Sequence, residues 1–242
     1  MKTAIRLWCG AILSGALAFA AAPDGFSPLF NGRDLTGWKI PDGDNGHWKV
    51  VDGVIDYDAL SEAKGDKHLW TQQAFKDFEL LVDWRIKRVF GMYPTPIVLP
   101  DGSYQKDAFG EVIYIPAMAC DSGILLRGTM KAQANIWLWP VGSGEVYGYR
   151  TDMKMPAEVR AAVTPKVKAD RAVGEWNTFR ITLRGDRLTV VLNGFTVIEN
   201  AHLPGLPPAG PIGLQHHGGL QGVLMNPASS AVQFRHLYLR EL

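Results

Sequence analysis

From Ala132 to Trp139 the chain alternates: Ala132, Ala134, Ile136 and Leu138 fall on even positions, Gln133, Asn135, Trp137 and Trp139 on odd ones. A period of two marks a strand with unlike faces. One face is aliphatic and fit for a core, and the other presents amides and indoles, the groups with which proteins hold sugars. The same alternation sets Phe78, Leu80, Val82 and Trp84 against Glu79, Leu81, Asp83 and Arg85, predicting a long, half-polar strand. Phe179, Ile181 and Leu183 alternate with Arg180, Thr182 and Arg184. A turn falls at Gly185-Asp186, and Leu188, Val190 and Leu192 lead to the hairpin pair Asn193-Gly194. Further strands are predicted at Ile212 to His216 and Ala231 to Leu239.

Between these runs, turn pairs such as Asn31-Gly32, Asp42-Gly43, Asn45-Gly46 and Asp52-Gly53 punctuate short β-forming segments. Regular punctuation without helical periodicity indicates an all-β sandwich. One short helix is predicted around Ala157 to Val163, with Pro156 suited to a first helical turn. The segment from Val89 to Ala119 breaks the rhythm with Pro94, Pro96, Pro100 and Pro116 among Tyr93, Tyr104, Phe109 and Tyr114. A loop of that length in a compact domain is usually functional when ordered, and it reads as a lip over a site. A family-specific insertion without a role is the alternative.

The first 22 residues carry Lys2 and Arg6, an apolar run and small residues near Ala18 to Ala22. This is the anatomy of a secretory signal peptide, so a periplasmic or secreted single domain over residues 23–242 is expected. Its removal lowers Lys+Arg from 25 to 23 against 24 acidic residues, taking the formal charge from +1 to −1, and leaves Cys120 as the one thiol. Stability must then come from burial rather than an internal disulfide, which 47% hydrophobic residues can supply. Near-zero charge without a basic run argues against nucleic acid or anionic membrane partners.

The series GFSPLFNGRDLTGWK, DFELLVDWR, DSGILLRG, GEVYGYR, GEWNTFRITLRGDRLTVVLNG and GPIGLQHHG, followed by VQFRHLYLREL, resembles the 3-keto-disaccharide hydrolase domain family across nearly the whole mature chain. The resemblance implies a concanavalin A-like jelly roll of two curved antiparallel sheets. It also implies an exported enzyme that cleaves glycosides already oxidised to a ketone at C3. Many members carry a carboxylate in the strand after the SGI-LRG motif, where this chain has Gln133, Asn135 and Trp137. Any role of that carboxylate must move elsewhere or be lost. A lectin-like module that binds carbohydrate without turnover, or an adhesion domain, stays open as an alternative.

A C3 ketone makes the hydrogen on C2 acidic, so the aglycone can leave by elimination and water can add to the enone. The route asks for a base, a stabiliser of the enolate oxygen and a proton donor. It does not need the paired carboxylates of an ordinary glycosidase. Glu145, after the flexible Gly142-Ser143-Gly144 turn, is the leading acidic candidate, and Asp121 is a second candidate. For the base, imidazole titrates near neutrality, and only one of His216 and His217 can face the site from a regular strand. His216 is slightly favoured, although its parity with Leu214 and Ile212 equally suits a core-facing ring. Arg127 shares strand parity with Asp121 and could polarise the ketone or pair with Asp121 or Asp83. Gln133, Asn135, Trp137, Tyr147, Tyr149 and Arg150 are candidate sugar contacts, while Trp38, Trp48, Trp70, Trp84 and Trp176 are expected to pack. A divalent metal ion acting on the ketone is possible, but no HExxH, CxxC or EF-hand pattern marks a site.

Overall fold

The alternation of Asn177–Arg184 is realised residue by residue: Phe179, Ile181 and Leu183 are fully buried and their neighbours point outwards. This strand pairs with Arg187–Leu192 through the tight turn at Gly185-Asp186, and Arg187–Leu192 pairs in turn with Phe195–His202. At that second turn Asn193 and Gly194 both hold positive φ, as a two-residue hairpin of matching twist requires. In this computed structural model, which describes residues 21–242, the three strands form one edge of an eight-stranded antiparallel sheet. Phe78–Ile86, Val232–Glu241, Val54–Tyr57 and Lys49–Val51 continue it, and Ser27–Pro28 adds to Val232–Glu241. The segment read as a signal peptide lies outside the described residues except for Ala21 and Ala22.

A second sheet of five strands has the order Thr129–Trp137, Asp121–Leu126, Gly210–Leu214, Leu69–Phe75, Trp38–Lys39. The two sheets form the jelly-roll sandwich. Ile124, Leu126, Ala132, Ala134, Ile136, Ile212 and Leu214 from the small sheet enter the same hydrophobic core as Phe78, Trp84, Phe179 and Phe234 from the large one. Each such large side chain contributes roughly 1.5–3 kcal/mol of transfer free energy, so the inward faces alone commit the sheets to pack. The outward face of the small sheet is left for the polar and aromatic residues of the alternating strands.

The segment after Val89 folds as an arm, with Met92–Pro96 paired antiparallel to Tyr114–Met118 and isolated bridges at Val98–Tyr104 and Lys106–Val112. Two short helices connect the sheets. Ala157–Ala162 follows Pro156 as predicted, and a single turn at Tyr147–Arg150 appears where the sequence showed no helical period. Gly148 lets this turn lie on the neighbouring strand, since a Cβ there would stand 2.5 Å from the Lys131 carbonyl oxygen.

Candidate active site

The register of the small sheet sets Trp137 opposite Asp121, Asn135 opposite Gly123 and Gln133 opposite Leu125. On the other side of the Asp121 strand, Gln215 donates its N–H to the Gly123 carbonyl at 3.0 Å. Cross-strand neighbours share a face, so Asp121, Gln133, Asn135, Trp137 and Gln215 converge on the side away from the core. There they line a cleft of about 500 Å³, joined by Tyr93 from the arm, Tyr147 from the short helix, and His217 and Asn226 from the loop that precedes the last strand. Gly123 leaves the space that the Gln133 side chain fills: a Cβ at 123 would lie 2.7 Å from Gln133 Cγ. Gln133 then donates from Nε2 to Asn135 Oδ1, giving a buried amide pair on the cleft floor.

Asp121 and His217 are fixed by one carbonyl. The Ala228 oxygen accepts from the Asp121 backbone N–H at 3.1 Å and from His217 Nδ1–H at 2.9 Å. Ser230 adds a second tie, its hydroxyl donating to the Asp121 carbonyl and accepting from the His217 N–H at 2.8 Å. With Nδ1 committed as a donor, neutral His217 presents its lone pair at Nε2, 3.8 Å from Asp121 Oδ2. The other carboxylate oxygen, Oδ1, is buried without a partner among the described residues. Burial pushes the Asp121 carboxyl up to about 6, against the opposing pull of His217. Among the described residues, Asp121 is the one carboxylate that lines the cleft. Cys120 also borders the cleft, but burial drives its thiol up to about 12, leaving no thiolate to act as a nucleophile at neutral pH.

The opposite wall is aromatic. Trp137 donates from Nε1 to the Gly142 carbonyl at 2.8 Å and stacks on Trp139 at 4.2 Å between ring centroids. Tyr147 meets both indoles edge-on. Because Trp137 is only 1% exposed, the surface open to a sugar belongs to Trp139 and to Tyr147, which is 41% exposed. Trp137 supports that wall instead of serving as the platform.

Five predicted site residues lie elsewhere. Glu145 is fully buried and ion-paired with Arg150, itself buried, because the 142–146 segment folds back to pair with Asn135 through the Gly144 N–H and the Glu145 carbonyl. Arg150 also reaches the Gly102 carbonyl and the Tyr104 hydroxyl, each at 3.3 Å, and so ties the arm to the short helix. Tyr149 points inwards and donates to the Pro204 carbonyl at 3.2 Å. In a helical turn, residues two apart diverge by about 200°, so Tyr147 and Tyr149 cannot face one site. Arg127 follows its strand with φ +49, which breaks the parity with Asp121. It donates to the Lys76, Gly185 and Pro207 carbonyls and to Asp77 at 2.9 Å, a structural clamp remote from the cleft. His216 turns to the core side, where its Nδ1 meets the Tyr57 hydroxyl at 2.5 Å and burial presses its pKa down to about 4.

Among the described residues, no group of three or more His, Cys, Asp or Glu side chains could hold a metal ion. Residues 25–240 match the model of the 3-keto-alpha-glucoside-1,2-lyase-like domain. The chain belongs to that family. The chain is also similar in fold to two solved structures of candidate glycosyl hydrolases from Parabacteroides distasonis ATCC 8503. One is 23% identical, with 91% of this chain and 85% of that chain covered at a TM-score of 0.55. The other is 19% identical, with 90% and 94% covered at a TM-score of 0.54. No curated protein matches this member of the family.

Tyr93 reaches the cleft from the 89–119 segment that the sequence reads as a lip over the site; the residues that the sequence did not single out are Trp139 as the open indole, Gln215 and Asn226. Trp139 carried a signal, since it shares parity with Gln133 and Asn135. Asn226 reaches the cleft only through long-range packing, which no local pattern encodes.

Proposed function

We propose that the cleft cleaves 3-keto-glycosides by elimination and hydration, with Asp121 and His217 handling the protons. The observation that carries the proposal is a lone carboxylate beside an imidazole whose lone pair is directed by the Ala228 carbonyl. Hydrolysis by an ordinary glycosidase asks for two carboxylates across the scissile bond, and the lining offers one. Elimination from a 3-keto sugar asks for a base near C2 and an acid near the leaving oxygen.

In this reading His217 Nε2 takes the C2 proton, and electrons move into the C3 carbonyl as an enolate. Amide N–H groups of the Gln133–Asn135 pair and of Gln215 are the donors for the enolate oxygen, in place of the remote Arg127. The enolate expels the aglycone from C1, and Asp121 in its protonated form supplies the leaving oxygen with a proton. A carboxyl raised to about 6 exchanges that proton near neutrality. Water then adds at C1 of the enone and a proton returns to C2. Trp139 and Tyr147 hold the ring.

The test is release of a chromogenic aglycone from a 3-keto-glucoside by the wild type, His217→Gln and Asp121→Asn. Losses on the order of 10²–10⁴ in turnover are expected for each. Saturable sugar binding with no release by the wild type would instead make the aromatic cleft a lectin-like module. Export belongs to the same proposal, on the strength of Lys2, Arg6 and the apolar run that follows. A mature N-terminus found by sequencing at the initiator Met1 would oppose it.

A further inference from the structure

Trp70 was expected to pack, yet its indole stays partly exposed on the cleft-bearing face of the small sheet. The register sets it opposite Gly213, which in turn lies opposite Leu125. Gly213 gives the ring room to lie down against the sheet: a Cβ there would meet Trp70 Cε3 at 2.6 Å and Cζ3 at 2.7 Å. Two contacts fix its orientation. The indole Nε1–H donates to Asp66 Oδ2 at 2.6 Å, and the His68 ring abuts it edge-on at 5.9 Å.

Two depressions, of about 320 Å³ and 660 Å³, border this ring, and Lys39, Asp66 and Trp70 line both. The first is completed by Asp42, Lys64 and His68, the second by Gln72. An immobilised indole rimmed by hydrogen-bonding side chains suits a pyranose, whose C–H face meets the ring while its hydroxyls meet the rim. Two lysines and two aspartates balance around the first depression, so the chemistry favours a neutral sugar over a uronic or sulfated one.

We infer that Trp70, with Lys39, Asp66 and Gln72, forms a second subsite that holds a neutral sugar ring of an oligosaccharide whose other end occupies the Asp121 cleft. From Asp121 the site is two strands across and four residues along, roughly 17 Å away by ordinary strand spacings, within reach of a short oligosaccharide. The inference rests on the glycoside reading of the cleft for the direction of the chain, but not for the binding of sugar at Trp70.

The test uses full-length mature protein labelled with 5-fluorotryptophan and unmodified glucotetraoses of α-1,4, β-1,4, β-1,3 and α-1,6 linkage. The Trp70 fluorine resonance is identified by its loss in Trp70→Phe. At least one tetraose should shift that resonance, in the wild type and in Asp121→Asn alike. In calorimetry, Trp70→Ala and Asp66→Ala should each weaken binding about tenfold. A Trp70 resonance unmoved by all four sugars at millimolar concentration overturns the subsite, even if aglycone release from a 3-keto-glucoside is normal. A shifted Trp70 resonance in a protein that releases no aglycone sustains the subsite while removing the cleavage reading.

Discussion

His217 Nε2 stands 3.8 Å from Asp121 Oδ2, and both residues hang from the single carbonyl of Ala228. The carboxyl has one oxygen towards the imidazole and one buried without a partner. Asp121 takes up its proton at about 6 in the folded chain and near 3.8 when unfolded. The folded state therefore binds the proton more tightly, and Asp121 lowers stability progressively as the pH rises from about 4 to 6. Asp121→Asn removes this penalty. Urea unfolding should show the variant more stable than the wild type at pH 8, by on the order of 1–3 kcal/mol, with the gain vanishing towards pH 4. Equal stability differences at pH 4 and pH 8 would contradict the assignment.

Gly123 matters for the side chain it leaves room for. Gly123→Ala puts a methyl group against Gln133 and displaces the buried amide pair. The expected cost is about 1–3 kcal/mol in stability. Because that pair donates to the enolate oxygen, kcat for the 3-keto-glucoside should fall by about 10²–10³, and KM should change much less. Steady-state kinetics at a temperature where the variant is folded checks the split.

Glu145 and Arg150 are structural in this arrangement. Glu145→Gln leaves the Arg150 guanidinium buried without its counter-charge and should cost about 3–5 kcal/mol in thermal or chemical unfolding. The folded fraction should keep the wild-type kcat. A stable Glu145→Gln protein that has lost turnover would return Glu145 to the role of catalytic acid.

His216 should govern acid stability. The unfolded chain protonates it near 6.5, whereas the half-buried ring bonded to Tyr57 resists protonation down to about 4. Its contribution is complete above pH 6.5 and declines as the pH falls towards 4. His216→Asn should flatten that decline by on the order of 1–3 kcal/mol in urea titrations at pH 7 and pH 4. An unchanged slope would mean that another group carries it.

Most of the sheet scaffold and half of the candidate site were legible in the sequence. The two faces of Gln133 to Trp137 lie as their alternation requires, because a strand buried on one side has no freedom to exchange them. The Asn193-Gly194 hairpin and the Pro156-led helix are local features, fixed by backbone preference. Glu145 was misread because its flexible glycine turn is bent back by hydrogen bonds to Asn135, ten residues earlier. Arg127 was misread because the strand ends one residue before it. Tyr147 and Tyr149 separate because Gly148 admits a helical turn against Lys131, a close approach visible only once the strand is in place.

The elimination route leaves a mark that direct hydrolysis does not, since the C2 hydrogen is lost and regained from solvent. The decisive measurement is deuterium at C2 of the released 3-keto sugar after a single turnover in D2O, corrected for exchange into free product. One deuterium per product at C2 is predicted, with His217→Gln slowing its appearance and aglycone release together. A product that retains its C2 hydrogen while the aglycone is released at the wild-type rate would contradict elimination and the role given to the Asp121–His217 pair.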